Sequence, residues 1–165
     1  MRRIVALVAG LAILGLANHS IYSRERLLAE GRVALLELAP RDPRSLMQGD
    51  YMALNFKASN DAFGFRAREG LVDGRIVFQV DARGVARFKR FDDGAPLAAD
   101  ELRIRYRVRA DQVKFATNAY FFQEGHAKYY ERARYGEFRV APDGECLLTG
   151  MRGERLEVLG PPQRK

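Results

Sequence analysis

The 165-residue chain carries 28 Lys and Arg against 21 Asp and Glu, a formal charge of +7, and is 47% hydrophobic and 30% charged. That length holds one ordinary domain with a real core, and the composition excludes a disordered or low-complexity chain. The lone cysteine, Cys146, excludes an intramolecular disulfide, CxxC redox chemistry and a cysteine-rich zinc cluster.

Arg2 and Arg3 precede an uncharged apolar run over residues 4–17, which Asn18, His19, Ser20, Ile21 and Tyr22 extend. As a helix, residues 4–22 reach roughly 28 Å, close to the hydrocarbon thickness of about 30 Å. Residues 1–23 therefore read as a membrane anchor or signal segment. Gly15-Leu16-Ala17 supplies the small residues that signal peptidase requires, so cleavage stays open beside the favoured uncleaved anchor. Arg24, Arg26 and Arg32 outnumber the two leading arginines, so flanking charge does not set orientation. The signal-like layout instead predicts a single-pass protein of the inner membrane with its C-terminal domain in the periplasm or outside. Residues 24–31 predict a short stalk helix that stops at Gly31.

Beyond Gly31, short apolar runs alternate with turn signals, which predicts an α+β domain that is mainly β, over residues 32–160, with 161–165 as a tail. An antiparallel sheet or small barrel is expected, with strands at residues 33–38, 51–57, 75–80, 85–91, 102–109, 114–117, 137–140 and 145–149. Asp81-Ala82-Arg83-Gly84 and Ala141-Pro142-Asp143-Gly144 both read as hairpin turns whose last residue is left-handed, the conformation glycine adopts without steric cost. Leu102, Ile104, Tyr106 and Val108 alternate with Arg103, Arg105, Arg107 and Arg109, the pattern of a half-buried strand. The four guanidinium groups, about 6.6 Å apart, read either as a solvated face paired with carboxylates or as a grip for phosphates. One helix is expected over residues 123–134, where Glu124 and Lys128 stand at i,i+4 and Gly125 opposes helix. Tyr120, Phe121, Phe122, Tyr129 and Tyr130 cluster around it, as core or as a groove lining.

Between the first two strands runs Pro40-Arg41-Asp42-Pro43-Arg44-Ser45-Leu46-Met47-Gln48-Gly49-Asp50-Tyr51. Pro40 and Pro43 exclude helix, and Gly49-Asp50 makes a tight re-entry, with Asp50 a hydrogen-bonding turn residue. Ordering so long a polar loop is costly, which marks Asp42, Arg44, Ser45, Gly49, Asp50 and Tyr51, with Phe122 and Glu124, as a binding surface. Gly49-Asp50-Tyr51 and Leu54 resemble the bacterial family named for its GDYxxLxY motif, with Phe56 where that family has tyrosine. Asp42-Pro43-Arg44-Ser45-Leu46 and Tyr120-Phe121-Phe122-Gln123-Glu124-Gly125 are similar to it as well. The resemblance implies a membrane-associated protein without an established activity, often accompanying a multi-pass membrane protein.

A fainter resemblance is to type I signal peptidases, whose nucleophile loop reads S-M-x-P-T-L-x-x-G-D. Ser45-Leu46-Met47-Gln48-Gly49-Asp50 overlays its second half and Phe88-Lys89-Arg90 resembles the lysine strand, but Arg41 stands at the nucleophile position. Catalysis would need Ser45 as nucleophile with a desolvated Lys89 as base. His126 reads as a surface residue, and with His19 in the anchor no histidine pair is spaced for a metal; no phosphate loop is present in the sequence. Neither cofactor nor metal is expected. The combined expectation is a non-enzymatic envelope interaction module, with two alternatives: the Ser45/Lys89 hydrolase, and an anionic lipid or lipopolysaccharide binder acting through Arg103, Arg105, Arg107 and Arg109. Nucleic acid fits a membrane-tethered domain less well than lipid head groups do.

Overall fold

In a computed structural model, which describes residues 2–39, 47–48, 51–64, 72–109 and 112–162, the apolar run and the stalk form one continuous helix, α1 (Arg2–Glu30). Its 29 residues reach about 43 Å, and its most apolar window has a mean hydropathy of 2.0 with no residue buried. It is long and apolar enough to span a membrane. Leu27 is its one buried side chain and marks where the helix meets the domain. The Gly31 N–H closes the last turn on the Leu27 carbonyl at 2.9 Å. Any Cβ at residue 31 would collide with that same oxygen, so glycine permits the tight exit into the sheet. Arg139 then fixes the Gly31 carbonyl through a 3.1 Å hydrogen bond.

The domain is built on strands β1 (Arg32–Glu37), β4 (Gly74–Val80), β5 (Val85–Phe91), β6 (Glu101–Arg109), β7 (Gln112–Phe115), β9 (Tyr135–Val140), β10 (Cys146–Arg152) and β11 (Val158–Leu159). They form one eight-stranded sheet in the order β11-β10-β9-β1-β5-β4-β6-β7. It is open, not a barrel: β11 and β7 are its two edges. The pairing is antiparallel except between β1 and β5, which run parallel with Leu35 opposite Val85. A second sheet, β2-β3-β8, comprises β2 (Met47–Gln48), β3 (Tyr51–Ala53) and β8 (Ala119–Phe121).

Both expected hairpins are present. Gly84 and Gly144 hold φ at +84° and +92°, the left-handed conformation that closes each turn. The Asp81 carboxylate accepts from the Arg83 and Val85 N–H groups, and Asp143 accepts from Glu145.

One face of the large sheet buries Leu36, Ile76, Phe78, Ile104 and Phe138 against Met52, Leu54 and Phe56 and against helix α2 (Lys57–Phe63). Phe56 packs edge-on with Phe115 and Phe138, at 6.1 and 5.4 Å between ring centroids. The opposite face carries ion pairs of Arg103, Arg105 and Arg107, with Val77 buried at the register position opposite Arg103. A bulge opposite Val77 and Phe78 lets the consecutive residues Lys89 and Arg90 both reach the Glu101 carboxylate, at 2.9 and 3.5 Å.

Three expectations are corrected. The strand over 51–57 ends at Ala53, and α2 begins at Lys57, fixed by Phe63 edge-on to Phe91 and Tyr106 at 5.4 and 5.1 Å. The helix over 123–134 is absent: a single 3-10 turn, Ala127–Tyr129, replaces it. Gly125 at φ +78° breaks the chain there, and Lys128 lies over the Tyr129 ring instead of pairing with Glu124.

Candidate functional site

The strand that opens the motif alternates cleanly. Met52, Leu54 and Phe56 face the core, whereas Tyr51 and Ala53 are half-buried on the other side. Antiparallel register with β8 sets Tyr51 opposite Phe121 and Met52 opposite Tyr120. The Tyr51 and Phe121 rings lie 5.6 Å apart, tilted by 39°, and Phe121 is 72% exposed. Its neighbours turn inward: Tyr120 meets Tyr130 edge-on at 5.1 Å and Phe122 stacks on it at 5.3 Å. Burial, then the hydrogen bond with Tyr130, pushes the Tyr120 phenol up to about 12. The predicted aromatic cluster thus divides into a core part centred on Tyr130 and an outward pair, Tyr51 and Phe121, presented on a small sheet.

A family model described as GDYXXLXY protein matches residues 13–151. The chain belongs to the GDYXXLXY family. The matched span takes in the motif and both further stretches that resemble it. None of the curated proteins and none of the solved structures compared with the chain matches it.

The alternation gives the GDYXXLXY spacing a physical meaning in this chain. Leu54 and the aromatic position 56 share the inward face and anchor the strand, while Tyr51 points the other way. At 2% exposure, between Phe115 and Phe138, position 56 is used for its ring, so phenylalanine fills it without a hydroxyl to satisfy.

Asp42, Arg44, Ser45, Gly49 and Asp50 lie outside the described residues. Of the remaining predicted binding residues, Tyr51 stands beside Phe121 on the outward side, Phe122 stacks inward on Tyr130, and Glu124 is exposed in the turn before Gly125. Phe121, as the partner of Tyr51, was hidden in the sequence because no local pattern encodes which distant strand β3 pairs with. Lys89 is ion-paired with Glu101. The four β6 arginines alternate outward as expected, each on a carboxylate: Arg103 with Asp92 at 3.6 Å, Arg105 and Arg107 with Glu145 at 2.9 and 3.4 Å, and Arg109 with Asp73 at 3.1 Å. His126 packs edge-on to Tyr129 at 5.5 Å. Among the described residues no three His, Cys, Asp or Glu side chains are grouped to hold a metal ion. Burial pushes the Cys146 thiol up to about 12, which removes thiolate reactivity near neutral pH.

Several carboxyl groups are held below their ordinary values by donors of the folded state. Glu101 is held chiefly by the hydrogen bond from Lys89, Asp73 by the Val108 N–H, Asp81 by the Val85 N–H and Asp100 by the Gln79 amide. A folded value below the unfolded one gives stability that is present above about pH 4 and lost as pH falls through the folded values. The melting temperature of the domain is therefore expected to hold near neutral pH and to fall as the pH drops below about 4. A melting curve unchanged over that acid range would contradict the assigned donors.

Proposed function

We propose that the protein is a single-pass inner-membrane protein of the bacterial envelope whose domain lies outside the cytoplasm and docks, without catalysis, onto a multi-pass membrane protein. The observation that carries this reading is the outward Tyr51–Phe121 pair, set on the strand of the family motif with Phe121 72% exposed. Aromatic side chains bury large area at little entropic cost, and they are enriched in protein interfaces. Residues 40–50 precede this strand in the sequence, and Asp42, Arg44, Ser45, Gly49 and Asp50 are assigned to specificity in this reading. The length and apolar character of α1 support the tether.

Detergent-solubilised native membranes provide the test. The parent chain should recover one dominant multi-pass membrane protein, which Phe121→Asp and Asp50→Ala should each lose while the domain melts as before. Recovery of the same partner by both variants would reject the surface. A C-terminal alkaline phosphatase fusion should be active, and an inactive one would reject the orientation.

A further inference from the structure

Where α1 meets the domain, the helix stands beside the β9–β10 hairpin and leaves a cleft of about 670 Å³. Ser23, Arg24 and Leu27 of the helix form one wall, and Arg107, Pro142 and Glu145 form the other. The cleft adjoins a smaller cavity of about 160 Å³ with which it shares Arg24, Arg107 and Glu145. Arg105 and Thr117 also line the smaller cavity, as does Ala116, whose φ of +54° is a conformation that side-chain-bearing residues rarely adopt.

The charge in that cavity does not balance. Arg105 and Arg107 share a single oxygen of Glu145, at 2.9 and 3.4 Å. Arg24 is exposed on the helix and forms no ion pair among the described residues, whereas the nearby Arg26 is satisfied by Glu30 at 2.8 Å. Arg24, Arg105 and Arg107 thus line the smaller cavity with Glu145 as its one carboxylate, while Asp143 and the Arg26-paired Glu30 line the wider cleft. Arg103 and Arg109 on the same strand take no part, since Asp92 and Asp73 hold them elsewhere.

The position is as informative as the charge. Arg24 lies two residues past Tyr22, about 3 Å further along the helix axis than the end of the apolar segment. If α1 is the anchor proposed above, on which this inference rests, the cleft opens in the head-group layer. Guanidinium forks match phosphate oxygens, and Leu27 and Pro142 offer an apolar wall to the stem of a lipid. We propose that Arg24, Arg105 and Arg107 bind the phosphate of one anionic phospholipid at the foot of α1, so that the domain is oriented on the membrane as well as tethered to it.

The full-length chain in detergent, titrated with phosphatidylglycerol or phosphatidylcholine and observed by native mass spectrometry, tests the proposal. The parent should retain one phosphatidylglycerol at concentrations that leave phosphatidylcholine unbound. Arg24→Gln should weaken retention about tenfold, the scale of one lost charge-assisted hydrogen bond, and Arg107→Gln by as much. Arg109→Gln, outside the cleft, should leave it unchanged. Because Arg24 is exposed and unpaired among the described residues, its loss leaves the fold standing. Unaltered retention in Arg24→Gln, equal retention of both lipids, or equal occupancy by inorganic phosphate without lipid would each overturn the assignment. Alkaline extraction of the same variants separates the two ideas: a chain that leaves the membrane defeats the anchor, and a chain that stays but ignores Arg24 defeats only the lipid site.

Discussion

Phe138→Ala is expected to cost about 3–5 kcal/mol of domain stability, the range for truncating a fully buried aromatic ring. Phe138 is 0% exposed at the middle of β9, where its strand neighbours are Ala34 of β1 and Leu148 of β10. Its ring meets Phe56 edge-on at 5.4 Å, and a Cβ at Gly136 would approach it to 3.2 Å, so the ring is enclosed from the motif side and from its own strand. Neighbours this constrained cannot collapse into the vacated space, which adds a cavity penalty to the lost transfer energy. Phe121→Ala removes an equal ring that is 72% exposed and is expected to stay within about 0.5 kcal/mol of the parent. Denaturant unfolding of the two variants side by side checks both. A loss under about 1 kcal/mol for Phe138→Ala would contradict the packing, and a large loss for Phe121→Ala would make the outward pair a structural element.

Ile13→Asp is expected to move the chain from the membrane fraction toward the soluble fraction on alkaline extraction. Residue 13 is the midpoint of the 4–22 segment and is 67% exposed on an α1 that has no protein neighbours there. A carboxylate at that depth costs about 2.5–3.5 kcal/mol, roughly 60- to 300-fold in the insertion equilibrium, on a segment only just long enough to span. Ser20→Asp sits near the segment's end, where water and head groups solvate the charge, and should remain in the pellet. Identical behaviour of the two variants would mean that depth along α1 is irrelevant and that something other than a bilayer covers the helix.

Local periodicity carried most of the fold. The apolar run of α1, the alternation from Leu102 to Arg109 and the glycine-closed turns at Gly84 and Gly144 are short-range signals, and the structure has each where the pattern puts it. What the pattern could not carry is non-local. The parallel match of β1 with β5 joins strands far apart in sequence, and no residue in either announces its neighbour. The helix expected over 123–134 had amphipathic spacing, but the burial of Tyr120, Phe122 and Tyr130 around one another, with Gly125 at φ +78°, outweighs a marginal helical propensity. Conversely α2, Lys57-Ala58-Ser59-Asn60-Asp61-Ala62-Phe63, is only seven residues long, mixes alanine with the weak helix formers Ser59, Asn60 and Asp61 and has no side-chain cap, so its packing through Ala58 and Phe63 supplies the stability its sequence lacks.

The site was legible to a similar depth. The motif identified the family and located Tyr51, yet only the β3–β8 register reveals that Phe121 stands beside it. Likewise Arg105 and Arg107 were visible as members of a charged face. Their convergence with Arg24 depends on how α1 meets the β9–β10 hairpin, a tertiary contact with no local trace.

Residues 4–22 are expected to remain attached as the tether of the domain, and the intact mass of the protein recovered from native membranes after an alkaline wash tests this most directly. The prediction is a membrane-retained chain whose mass includes the whole N-terminal segment. A washed-off chain beginning just after Ala17 would contradict it.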